Sequence, residues 1–307
     1  MAGNYANRAL KSGCSWKVLA VFRQGFYCQS SFGELIFVGS HSIRPGPLNV
    51  MCRMPGPVNW VAAGLTNHAV VQSEREAIRI DNRFEFTLSN IQCWQPEDIS
   101  NKWNINVVAE RINILSEETD RRELADGLGS FVRTSFNTPF RPETLPSSLM
   151  KMAWKSAARI QEWLNAEFSG KPTRISDIQN EIRTLIGLGP GLTPAGDDFL
   201  GGILITLSSL GRGDLAKKMA GGVLSMARLR TGKISFAHLF CAAGGQGHEI
   251  LHHAIAALSV KRKTGLKVIL RELDAVGHTS GWDALAGVAL VLKALLAAKG
   301  MGHSDVT

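Results

Sequence analysis

The stretch Asn137-Thr138-Pro139-Phe140-Arg141-Pro142-Glu143-Thr144-Leu145-Pro146-Ser147-Ser148 divides the chain. Its prolines donate no backbone hydrogen bond and fix φ, so no regular element runs through it. The closing serines are helix-capping residues. Downstream, apolar residues recur with helical period. Residues 150–168 read as one amphipathic helix ended by Gly170 and Pro172. Helices at 176–185, 198–210, 215–229, 250–260, 266–275 and 282–299 follow, mostly separated by glycine. Upstream, the apolar runs are short and rich in β-branched and aromatic residues: 16–22, 34–38, 49–52, 83–88 and 104–108. Turns such as Arg44-Pro45-Gly46-Pro47 and Met54-Pro55-Gly56-Pro57 separate them, as in a small sheet. Residues 101–114 read equally well as a strand or as the start of a helix. Strands first and helices afterwards predict an α+β fold, with an N-terminal β-rich domain (1–145) and a C-terminal mainly helical domain (146–307) that carries the active site.

Bulk properties narrow the function classes. A chain of 307 residues with 45% hydrophobic and 20% charged content is long and apolar enough for two cores, which excludes disorder. The net charge of +8 favours anionic ligands and raises the question of nucleic acid. The clearest basic run, Lys261-Arg262-Lys263 with Lys267 and Arg271, lacks interleaved aromatics. It reads as a solvated turn between helices, and no nucleic-acid partner is expected. Five cysteines, odd in number and without a Cys-x-x-Cys pair, suggest reduced thiols and a cytoplasmic protein. The N-terminus has no apolar core of a signal peptide. The apolar stretches 199–210 and 284–298, the second broken by Lys293, read as too short or too interrupted to span a bilayer, so no membrane is expected.

Two loops carry most of the chemistry. The first is Gly187-Leu188-Gly189-Pro190-Gly191-Leu192-Thr193-Pro194-Ala195-Gly196-Asp197-Asp198, running into Phe199-Leu200-Gly201-Gly202. Thr193 followed by Pro194 reads as a helix cap and first helical residue. The glycines allow positive φ, and the bare N–H groups of the helix start suit a phosphate or carboxylate. No Gly-Lys-Ser/Thr follows, so this is not a Walker loop. Asp197 and Asp198 point roughly 100° apart around a helix. One acid is explained by the helix dipole. The other is free to hold a cation such as Mg2+, to bind an NH2 group or to act as a base.

The second loop is Gly277-His278-Thr279-Ser280-Gly281-Trp282-Asp283, where Ser280-x-x-Asp283 resembles a capping box. His278 beside a cap is either a solvated loop residue or a catalytic one. The loops share a grammar: Thr193 precedes Asp198 and Gly201, and Thr279 precedes Asp283 and Gly287, at nearly the same spacings. Both helix starts are expected to converge on one ligand, with Gly189, Gly191, Thr193, Asp197, Thr279, Ser280 and Asp283 binding it and Asp198 and His278 acting on it. A third motif, His248-Glu249-Ile250-Leu251-His252, matches the zinc-protease pattern. Gly244-Gly245-Gln246-Gly247 directly before it places it at a fraying helix end, so a zinc hydrolase is a remote alternative.

The glycine loop at 187–198 and Gly277-His278-Thr279-Ser280-Gly281 together resemble the AllH-like family linked to oxamate carbamoyltransferase. More weakly, Gly33-Glu34-Leu35 and Gly46-Pro47-Leu48 fall where that family has a Gly-Glu-Leu strand and a Gly-Pro turn. The resemblance implies one subunit of a multi-subunit enzyme that interconverts oxalurate plus phosphate with oxamate plus carbamoyl phosphate, in anaerobic allantoin breakdown. It also implies an acyl-CoA-synthetase-like partner subunit, and a homo-oligomer is compatible with it. A non-catalytic ligand-binding or assembly subunit is the alternative.

Overall fold

In the first ninety residues, apolar and polar side chains alternate along short segments. In Ser15–Val21, Trp16 and Val18 are buried and Lys17 is exposed, the period of a half-buried strand. The computed structural model describes residues 1–300 except 54, 55, 57, 75, 76, 82, 121, 123, 125, 137–144, 146, 263 and 264. The elements of its first part are β1 (Ala2–Gly3), α1 (Asn4–Leu10), β2 (Ser15–Val21), β3 (Gly25–Ser30), β4 (Leu35–Ser40), β5 (Asn49–Cys52), β6 (Val70–Ser73), β7 (Ala77–Ile80), β8 (Phe84–Thr87) and β9 (Cys93–Trp94). Among the described residues these strands form one sheet in the order β8-β7-β6-β2-β3-β4-β5-β1-β9. Pairing is antiparallel from β8 to β4, parallel for β4–β5 and β1–β9, and antiparallel for β5–β1. Phe26, Ile36, Val38, Val50, Trp60, Val71, Ile78 and Ile80 make its core.

The helices are α2 (Ile105–Asp120), α3 (Ser148–Phe168), α4 (Gln179–Leu185), α5 (Ala195–Ser209), α6 (Gly213–Arg230), α7 (Lys233–Ala243), α8 (Glu249–Ser259), α9 (Leu266–Leu273) and α10 (Ser280–Ala298), with a 3-10 turn at Gly129–Val132. The α+β class expected from the sequence is therefore what is found. Ser147 caps α3 as expected, its hydroxyl accepting the Met150 N–H at 3.2 Å. Of the open stretch 101–114, residues 105–114 are helix, in α2. The dividing segment lies largely outside the described residues, as do parts of the Met54-Pro55-Gly56-Pro57 turn and of the basic run at Lys263.

Two compact units emerge: residues 1–96 with 246–249, and residues 97–245 with 250–307. The described residues between 97 and 145, grouped by the sequence with the sheet, thus fall in the helical unit. Val108, Ile112 and Leu115 of α2 join its core. The centre of that unit is α10, buried on nearly every side. Contrary to the reading of 284–298 as too short, α10 is long and apolar enough by composition to cross a membrane. In this fold 78% of its apolar window is buried inside the unit, as in a core helix. Small residues let α5 and α10 touch through their backbones: a Cβ on Gly202 would run into the Ala284 carbonyl, and one on Gly287 into the Phe199 carbonyl. Gly287 is the small residue that follows the Thr279 and Asp283 pair in the sequence. Gly201, its expected counterpart, faces Ala242 of α7 at ordinary distance.

The 3-10 turn is held against α10 at both ends. Asp283 accepts the Leu128 N–H at 2.5 Å, and Lys293 Nζ donates to the carbonyls of Val132 (2.5 Å) and Thr134 (3.0 Å). The anion sits at the amide end and the cation at the carbonyl end, each where the backbone dipoles favour it.

Candidate functional site

The glycine loop takes the backbone shape its sequence demands. Gly187, Gly189 and Gly191 have φ of 76°, 113° and 98°, a region that a β-carbon disfavours. A side chain on Gly187 would also meet the Arg230 carbonyl. Among the described residues, no hydrogen bond ends on the backbone N–H groups of Gly189, Gly191, Leu192 or Thr193. They form a short row of unused donors leading into α5. The cap, however, sits one residue later than expected. Pro194 takes the cap position, and Thr193 makes no capping bond. The Thr193 hydroxyl instead lies 2.9 Å from the Ser280 hydroxyl at the start of α10. The two helix starts do converge.

Asp197 and Asp198 have different surroundings. Asp197 is buried and accepts from the Gly187 N–H at 2.8 Å, from the Ser235 hydroxyl at 2.7 Å and from the Thr231 hydroxyl. Both its oxygens are thereby used, and it ties the loop to the start of α7. An Mg2+ ion bridged by Asp197 and Asp198 would have to displace these bonds, so Asp197 fits that role poorly. Asp198 faces the other way, toward the hydroxyls of Thr193 and Ser280 and the carboxyl of Asp283. Burial pushes its pKa well above the usual carboxylate range. The two hydroxyls pull it back, and Asp283 and Asp197 push it further up.

Asp283 does not form the expected capping box. Thr279 is the cap, and the Asp283 carboxylate is drawn to the Leu128 and Gly129 N–H groups and the Thr279 hydroxyl. Gly127, at φ 71°, passes so close that a β-carbon there would strike the carboxylate. Burial raises Asp283 to about 6 against those three donors. The Oδ2 atoms of Asp198 and Asp283 are both buried and without a hydrogen-bond partner.

The structure thus gathers Thr193, Asp198, Thr279, Ser280 and Asp283. Gly189 and Gly191 line the adjoining loop, and Asp197 is turned away. His278 is exposed on the turn before α10, where Gly277 takes φ 60°. The sequence reading missed Thr231 and Ser235, which lie 34 and 38 residues from the carboxylate they serve, and the amides of Leu128, 155 residues from Asp283, and of Gly129 beside it. A buried acid signals that donors exist, but tertiary packing alone says which. In the zinc-protease motif, α8 begins at Glu249, so His248 precedes the helix, and Glu249 pairs with Arg44 at 3.3 Å. Among the described residues, no group of three or more His, Cys, Asp or Glu is placed to hold a metal.

The family model described as oxamate carbamoyltransferase subunit AllH matches residues 185–292 of the 307. That span contains both loops, so the resemblance read from them is borne out there. No solved structure matches the chain significantly.

Proposed function

We propose that this protein is a carbamoyltransferase subunit acting on oxalurate and phosphate to give oxamate and carbamoyl phosphate, and the reverse. The observation that carries the proposal is the 2.9 Å contact between Thr193 and Ser280, which joins two helix starts over a cluster of carboxyls and hydroxyls. All the compounds concerned are small anions, and three of the four carry a terminal amide. In this reading the phosphate lies on the Gly189–Thr193 amides, where helix-start donors and the dipole of α5 favour negative charge. The carbamoyl group lies toward Thr193, Ser280 and Asp198, and His278 at the rim polarises its carbonyl. A phosphate oxygen attacks the carbamoyl carbon and the C–N bond of oxalurate breaks. The proton that phosphate gives up balances the one the oxamate nitrogen takes.

Partner subunits belong to this reading, one of them acyl-CoA-synthetase-like, as does a cytoplasmic location. Leu192, 47% exposed on the glycine loop, and Leu229, 80% exposed beside its Gly187 end, suit a surface that a partner covers. The test is phosphorolysis of oxalurate by the purified protein, alone and with candidate partners. Turnover by the protein alone rules out a purely assembling role. Thermal stabilisation by carbamoyl phosphate without turnover under any combination favours a binding or assembly subunit. No stabilisation and no turnover refute the proposal.

A further inference from the structure

We propose that Asp198 and Asp283 hold one proton between them, with Asp198 a neutral carboxylic acid beside an ionised Asp283, and that Asp198 supplies protons to the site through the Ser280 and Thr193 hydroxyls. Three observations carry this. First, the pair is desolvated, and the Oδ2 of each carboxyl lacks a donor. Two neighbouring buried carboxylates cannot both remain charged without a cation, whereas a single proton relieves their repulsion. Second, among the described residues no cation acts on either carboxyl. Lys293 of α10 is spent on the Val132 and Thr134 carbonyls three turns away. His238 of α7 is held uncharged by burial, its pKa lowered to about 4. Arg122 is bonded to Asp274. Arg111 and Lys267 pair with Glu110 and Glu118 of α2, Lys151 and Lys155 of α3 are exposed, and Asp197 adds only negative charge.

Third, the hydrogens must be counted. The Thr193 and Ser280 hydroxyls touch each other and both reach Asp198, which makes three contacts among three groups. Two hydroxyls bring two hydrogens. A hydrogen on Asp198 supplies the third and closes the ring. Asp283 has its own donors in the Leu128 and Gly129 N–H groups and the Thr279 hydroxyl, which suit the charged member of the pair. A neutral acid kept as a hydrogen-bond donor by an apolar setting is an established chemical device. Through the hydroxyls it delivers a proton to the oxamate nitrogen as the C–N bond breaks, and it regains one from the attacking phosphate. This makes Asp198 a positioning residue for proton transfer. The catalytic part rests on the function proposed above, and the protonation state does not.

The two are separated by infrared spectroscopy of the whole, ligand-free protein. At pH 7 a protonated-carboxyl C=O band is expected, shifting on transfer to deuterated water and vanishing in Asp198→Asn. In Asp283→Asn, which removes the neighbouring charge but keeps an acceptor for Leu128, the band persists and its titration midpoint moves to an at least tenfold higher proton concentration. Ser280→Ala, a small surface-side change, shifts the frequency of the band by deleting one hydrogen bond. Absence of the band in the parent protein, its survival in Asp198→Asn or an unmoved midpoint in Asp283→Asn overturns the proposal. These readouts stand whether or not oxalurate is turned over.

Discussion

Replacing Asp197 separates a buried structural anchor from the acid next to it in sequence, Asp198, which faces the other way. Its carboxylate accepts from one backbone N–H and two hydroxyls. In Asp197→Ala the Gly187 N–H, fixed by the chain, is orphaned at a cost of about 1–3 kcal/mol. The Thr231 and Ser235 hydroxyls can rotate, so together they lose about 1–2 kcal/mol. Relief from burying the carboxylate offsets part of this, which leaves a net loss of roughly 3 kcal/mol. For a helical unit of this size that lowers Tm by about 6–12 °C. Asp197→Asn keeps an oxygen for Gly187 and should cost about 1 kcal/mol. Thermal and urea unfolding of both variants, with amide exchange at Gly187, is the assay. The parent should protect Gly187, the Asn variant partly so, and the Ala variant little. An Ala variant that melts within a few degrees of the parent, or an Asn variant as damaged as Ala, would refute the anchoring role.

Further expectations concern packing and pH. Gly202→Ala and Gly287→Ala each push a methyl into a backbone carbonyl that cannot rotate away, so each should lower the urea midpoint by an amount equivalent to about 1–3 kcal/mol, with Gly201→Ala much milder. Burial lowers Lys293 to about 8 from 10.5, so between those values the unfolded chain binds the extra proton and stability should rise with pH. Lys293→Met should flatten that rise in urea titrations across the same range. Asp283 runs the opposite way. With its folded value raised from 3.8 to about 6, the folded state binds the extra proton in that window, and stability should fall as pH rises through it. Asp283→Asn should make the slope shallower, leaving the share of Asp198, which is raised in the same direction, and an unchanged slope would show that Asp283 contributes none of it.

What the sequence disclosed follows the reach of its local signals. Strong periodicity and glycine punctuation located α3, α5, α6, α8, α9 and α10 to within a few residues. α7 escaped because Lys-Ile-Ser-Phe-Ala-His-Leu-Phe-Cys-Ala-Ala spreads apolar residues around the whole helix and leaves no stripe to count. β6 and β7 are four residues long, and the sequence reading took neither as a strand. The capping expectations erred by one residue for a tertiary reason: Thr193 and Asp283, well placed to serve their own helices, are recruited by Ser280 and Leu128 instead. The kinship of the two loops was legible because each keeps its glycines and acid close together. Which of Asp197 and Asp198 is the anchor was not, because the deciding partners come from elsewhere in the chain.

The grip on the 3-10 turn turns α10 into a ruler. From Asp283 to Lys293 the helix advances about 15 Å, and the turn with its flanks must match that length to meet both charges. Side chains between these marks can be exchanged for others of like volume. Adding or deleting a single residue there swings Lys293 by roughly 100° and detaches it from Val132. Natural variation along this stretch should therefore appear in its spelling and never in its length.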